Sequence, residues 1–86
     1  MDVEKKDHLH RLLEIYQKEL LRRGFFPFQG GMALSHCSWM VQEMVNRVAQ
    51  DQVDEGKANR WLGFVQGVMW REGFFSIDQL RQHVKN

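Results

Sequence analysis

The stretch RWLGFVQGVMWREGFF, residues 60–75, places Gly63 and Gly67 four apart inside an otherwise helical pattern, with a tryptophan on either side. At about 100° per residue, Ala58, Trp61, Leu62, Val65, Val68 and Met69 form one apolar stripe. Gly63, Gly67 and Trp70 fall together on a different side, flanked by Arg60 and Phe64. An interior glycine costs a helix about 1 kcal/mol relative to alanine, so two of them call for a packing gain elsewhere. Small residues four apart let a neighbouring helix backbone approach closely. The neighbour is either another helix of the same monomer, the first being the natural candidate, or a helix of another chain.

Outward from this helix, the chain divides into four helical segments. Val3 to Arg23 sets Leu9, Leu12, Leu13, Tyr16 and Leu20 on one stripe, and Gly24 reads as a left-handed stop. Phe25 to Met32 holds the single proline, Pro27, with Gly30 and Gly31, and breaks the helix. A second helix is predicted over Met32 to Asp51, with Leu34, Cys37, Val41, Met44, Val45 and Val48 on one face. The short turn from Val53 to Gly56 favours an antiparallel neighbour, the third helix from Glu55 to Glu72. Ser76 and Gln79 form a capping-box pair that opens a short fourth helix with Ile77, Leu80 and Val84 inward. RRGFF at 22–26 and REGFF at 71–75 read as one device used twice, a glycine past the helix end followed by apolar residues folding back. The expectation is an all-α protein, residues 1–86 forming a single helical domain, an open bundle of three main helices and a short fourth with Trp61 central to the core.

Composition narrows the function classes. Eighty-six residues bury only about 60% of the unfolded chain's surface on folding, so stability is modest unless a partner adds to it. Twelve Lys and Arg stand against 11 Asp and Glu, interspersed along the chain, which leaves no electrostatic footprint for a phosphate backbone. A lone cysteine, Cys37, makes no internal disulfide and fits a reducing compartment. The start, Met1 to Arg11, is too charged for a signal peptide, and no apolar run approaches a membrane span. The expected location is the cytosol, with no membrane partner.

Trp39 falls on the second helix opposite its core stripe, beside Gln42, Glu43 and Asn46. With Trp70 and the loop residues Phe25, Phe26 and Phe28, it leaves more aromatic surface than so small a protein keeps in water unless its own loops cover it. The predicted partner-binding set is therefore Trp39, Glu43, Arg60, Gly63, Phe64, Gly67 and Trp70 with Phe25, Phe26 and Phe28, used in a homodimer or with another protein.

Catalytic constellations do not assemble. His8 and His10, two apart on a helix, point in different directions and do not share one metal. Cys37 neighbours His36 but lies on the core stripe, where a thiol is inert. The segment Gly63 to Gly67 lacks the Lys and Ser/Thr of a nucleotide loop. The chain is thus expected to have no metal, no cofactor and no enzymatic activity. A rival reading, a nucleic-acid regulator using helices three and four as a helix-turn-helix, ranks lower because the outward residues Asp78, Gln79, Arg81, Gln82 and Lys85 are of mixed sign.

Leu34, Ser35, His36, Trp39, Met40 and Glu43, then GKANRWLGFVQGVMW from Gly56 to Trp70, Gly73 and SIDQLRQH carry a resemblance. From Leu34 to His83 the chain resembles small helical proteins encoded by bacteriophages and prophages of Gram-negative bacteria that share the RWLGFVQG core. The resemblance implies phage origin and a helical fold, and offers no catalytic residue. Its context is the short phage product that binds and redirects a host or defence protein. The first helix and the loop from Phe25 to Gly31 fall outside it.

Overall fold

The computed structural model describes residues 1–85. It contains four helices among the described residues: α1 Val3–Arg22, α2 Ala33–Ala49, α3 Glu55–Arg71 and α4 Ile77–Lys85. The expected all-α class is therefore observed, with the three longer boundaries each drawn in by one or two residues. Asp2 and Asp54 cap α1 and α3 by accepting from the Lys5 and Lys57 amides. Ser76 and Gln79 make the reciprocal capping box, Gln79 N–H to Ser76 Oγ at 3.1 Å and Ser76 N–H to Gln79 Oε1 at 2.8 Å.

The three long helices end alike. Each places a residue in the left-handed region and donates two backward hydrogen bonds from the chain just beyond: Gly24 and Phe25 to Leu21 and Leu20, Asp51 and Gln52 to Val48 and Arg47, Gly73 and Phe74 to Trp70 and Met69. The RRGFF and REGFF repeats are indeed two copies of one stop. They also meet: Phe25 and Phe74 lie 6.2 Å apart, with the Arg23 guanidinium 4.0 Å over the Phe74 ring. Phe25 is consequently partly buried against the chain's own core.

Helix α2 packs against both α1 and α3. Lys6 to Asp51 and Gln17 to Gln42 contacts set α1 antiparallel to α2, and Lys5 to Glu55 brings the starts of α1 and α3 side by side. The burial pattern records this arrangement. On α2 the buried residues Cys37, Ser38, Met40, Val41, Met44 and Val48 span an arc of about 160°, wider than one stripe. On α3 only Ala58, Val65 and Met69 are buried, an arc of about 40°. Trp61, expected at the centre, is half-buried at the margin; the centre is formed by Leu13, Tyr16, Leu20, Cys37, Val41, Val65 and Met69. The correction has a steric cause, because α2 reaches α3 along the Val65 side and leaves Trp61 at the rim of a narrow apolar slot with Leu9, Met44, Val48 and Ala58.

Helix α4 departs from expectation as well. Leu80 is buried, but Ile77 and Val84 are exposed, since α4 meets only the end of α3 and the middle of α1 and nothing crosses its outer edge. His83 turns inward instead. Gln66 Nε2 donates to the fully buried Tyr16 hydroxyl at 2.9 Å, which leaves the Tyr16 proton for His83 Nδ1, also at 2.9 Å. This chain joins α3, α1 and α4 and requires a neutral His83. Phe75 completes the cluster, its ring 5.6 Å from Tyr16 and 5.0 Å from His83. Burial pushes the Tyr16 phenol up to about 12 against the opposing Gln66 hydrogen bond. Burial, and to a lesser degree His8, hold the His83 imidazole below its ordinary value.

The helix stops and the Tyr16 cluster each have a measurable effect on stability. Gly73 has φ +79°, so Gly73→Ala is expected to cost about 1 kcal/mol in urea unfolding. Asp51, the one non-glycine among the three stops, has φ +54°, but its carboxylate also accepts from Lys6 Nζ at 2.8 Å, so Asp51→Gly is expected to change stability by less than about 0.5 kcal/mol. For His83 the folded value lies below the unfolded value of 6.5, so its contribution is complete above pH 6.5 and is lost as pH falls through the lower folded value. Unfolding free energies measured from pH 8 down to pH 4.5 should show this loss, and His83→Gln should flatten that part of the profile.

Candidate functional site

The outer face of α3 is built by what the core does not use. With the buried arc confined to Ala58, Val65 and Met69, the opposite side of the helix is open. A Cβ placed on Gly63 or Gly67 would meet nothing within 4 Å. The possibility that another helix of the same monomer fills this face is thereby overturned: α1 lies across α2 and touches α3 on a different side, through Gln66 and Glu55. Gly56, in the first turn, falls on the same line but is not bare, since a Cβ there would meet Arg60 Nη1 and Asp54 Oδ1, each at 3.5 Å.

Aromatic side chains flank that strip. Phe64 is 52% exposed and Trp70 is 50% exposed, each on a rigid helix rather than a loop. Phe64 continues toward α2 through His36, whose ring lies edge-on at 6.5 Å. His36 in turn ties down the preceding loop, its Nδ1 accepting from the Gly30 amide at 2.9 Å, while the Phe28 amide donates to the Ser35 carbonyl. The loop presents Phe26 and Phe28, both 67% exposed. The loop bearing Phe26 and Phe28 is thus tied by backbone hydrogen bonds to the start of α2, where the half-buried His36 ring meets Phe64 beside the glycine strip.

Trp39 does not join it as expected. It is half-buried, stacked on His36 at 5.4 Å and tilted against Trp61 at 5.7 Å, because α3 passes over the side of α2 that a one-stripe reading leaves to solvent. Glu43 is partly covered on the same side of α2, and Arg60 is exposed. Of the predicted partner-binding residues, Arg60, Gly63, Phe64, Gly67 and Trp70 are together on one face, Phe26 and Phe28 adjoin it, and Trp39 and Phe25 serve the chain's own packing. The role of His36 as the bridge between loop and helix was not foreseen; its signal was present only as the alternation of His36 with Trp39 at helical spacing.

Cys37 is fully buried and its thiol is pushed up to about 11 by burial, so it stays protonated at neutral pH. Among the described residues no group of three His, Cys, Asp or Glu side chains converges in a metal-binding arrangement. Among the described residues no helix is long and apolar enough to cross a membrane.

The open space beyond Gly63 and Gly67 has a direct energetic consequence. Gly63→Ala and Gly67→Ala should each stabilise the isolated chain by up to about 1 kcal/mol, since helix propensity improves and no neighbour is displaced. Thermal and urea unfolding of the two variants check this, and destabilisation would show that the face is covered within the monomer. Compared with protein-family models, curated proteins and solved structures, the chain matches none.

Proposed function

We propose that this chain is a non-enzymatic protein-binding module that uses the outer face of α3, with Phe64, Gly63, Gly67 and Trp70, and the adjoining Phe26 and Phe28. One observation carries the reading. Two mid-helix glycines together cost about 2 kcal/mol relative to alanine and receive no packing in return inside the monomer. They lie between two half-exposed aromatics on a rigid helix. Large aromatics of this kind are the usual anchors of protein interfaces, and bare backbone beside them lets a partner helix come close. Association with another copy, or with a host or defence protein in the manner of a phage-encoded inhibitor, would supply the missing packing.

The nucleic-acid reading through α3 and α4 has less support. A recognition helix presents polar side chains to base edges, whereas α4 leaves Ile77 and Val84 exposed and pairs Asp78 with Arg81.

The test is capture of partners from bacterial lysate with the tagged chain, beside Trp70→Arg and Gly67→Leu, together with sedimentation of the purified protein. A Cβ at position 67 meets nothing within 4 Å, so Gly67→Leu is expected to remain folded, which circular dichroism checks. Both variants should lose at least about tenfold in affinity for the partner or for a second copy. Undiminished association by folded Gly67→Leu and Trp70→Arg would overturn the proposed face.

A further inference from the structure

Between Asp54 and Glu55 at one end and Glu72 at the other, the middle of this face carries positive charge only. From Gly56 to Arg71 the chain holds Lys57, Arg60 and Arg71 and no acid. None of the three joins an ion pair among the described residues; Lys57 lies instead over the ring of Trp61 at 4.8 Å. Arg60 and Arg71 are exposed and leave the helix about 40° and 60° to one side of Gly56, with Phe64 beyond them, while Trp70 stands about 40° to the other side. The result is a trough with a floor of bare backbone, an aromatic wall on each side and positive charge along one wall only. The open floor from Gly63 to Gly67 is about 6 Å long at 1.5 Å per residue, one turn of a second helix, and it ends toward Gly56 where the Arg60 guanidinium lies over the backbone.

We propose, resting on the protein-binding reading above, that the occupant of this trough is an acidic amphipathic helix of a different protein. Small or apolar residues of that helix lie against Gly63 and Gly67, and its Asp and Glu residues meet Arg60 and Arg71. Arginine pairs carboxylates through two parallel hydrogen bonds, so two unpaired arginines on one rim select acids on the facing rim. A second copy of this chain is a poor occupant. An antiparallel crossing centred between Gly63 and Gly67 sets Arg60 beside Arg71 of the other copy and opposes association, and a parallel two-fold crossing turns each arginine rim to the Trp70 rim of the other copy, which offers the arginines no free carboxylate. A single nucleic-acid strand would also find cations and aromatics here. A phosphate chain gains nothing from a glycine floor, however, and three cations along a whole helix are few for it.

A displayed library of amphipathic helical peptides, random at the flanking positions, can be selected on the immobilised full chain, with Trp70→Arg as the counter-selection. Binding of winners is then measured by fluorescence anisotropy, beside an oligothymidine competitor. Peptides with Asp or Glu along one flank should dominate. Their affinity should fall roughly tenfold or more in the R60E/R71E double variant, which should in turn select basic flanks. Both substituted side chains are exposed, and circular dichroism verifies that the double variant keeps its helices. Winners with neutral or basic flanks, no enrichment over the counter-selection, or displacement by oligothymidine would overturn the acidic helix. Neutral winners that are lost in Trp70→Arg would leave the protein-binding reading standing, whereas winners indifferent to Trp70→Arg would remove that reading as well.

Discussion

Sandwiching of α2 between α1 and α3 governs the rest of the molecule. A chain of this length buries little surface, and it concentrates that burial on one helix, whose covered arc is about four times that of α3. Because α2 takes the inner side of α3 and α1 lies across α2, nothing in the monomer reaches the outer side of α3. The exposed aromatic and glycine face is thus a consequence of helix order and not a local irregularity. The same arrangement leaves the seam between α1 and α3 to side chains alone, and the chain from Gln66 through Tyr16 to His83 closes it.

That hydrogen-bonded chain shows how much depends on a single buried hydroxyl. Tyr16 is completely removed from solvent, and a phenol without partners there would cost about 1–3 kcal/mol. Gln66 and His83 satisfy it from two other helices, so the polar contact also specifies how α3 and α4 stand relative to α1. Helix α4 is otherwise weakly held, with Leu80 buried and Ile77 and Val84 outside. The surface ion pairs contribute far less: Lys5 with Glu55 and Lys6 with Asp51 are largely exposed and position the helix ends more than they stabilise them.

The parts of this fold written in local chemistry were legible in the sequence. Glycine stops at Gly24 and Gly73, the Ser76 and Gln79 box and the apolar stripe of α1 all act within one or two turns, where residue type alone decides the outcome. What was not legible depends on which helix lies over which side. A one-stripe reading put Trp39 in solvent and Trp61 in the centre, but α2 is covered on two sides, which draws Trp39 partly in and pushes the core toward Val65 and Met69. His83 was hidden for a related reason, because a histidine at the end of a short helix becomes structural only when Tyr16 of a distant helix presents its hydroxyl. The glycine pair was legible as an oddity, and the structure decides only that no part of the monomer explains it.

Helix α3 therefore answers to two demands that pull its composition apart. For the monomer alone, alanine at positions 63 and 67 would be the better residue, and polar side chains at 64 and 70 would cost nothing in core packing. The chain instead keeps bare backbone and aromatics there, and sets two unpaired arginines beside them. In a protein with so little stability in reserve, such a face is intelligible when part of the molecule's packing is completed from outside. Folding then fixes the trough in shape before any partner arrives, since it is carried by a helix anchored at Ala58, Val65 and Met69, and association forgoes the ordering cost that a flexible loop would incur.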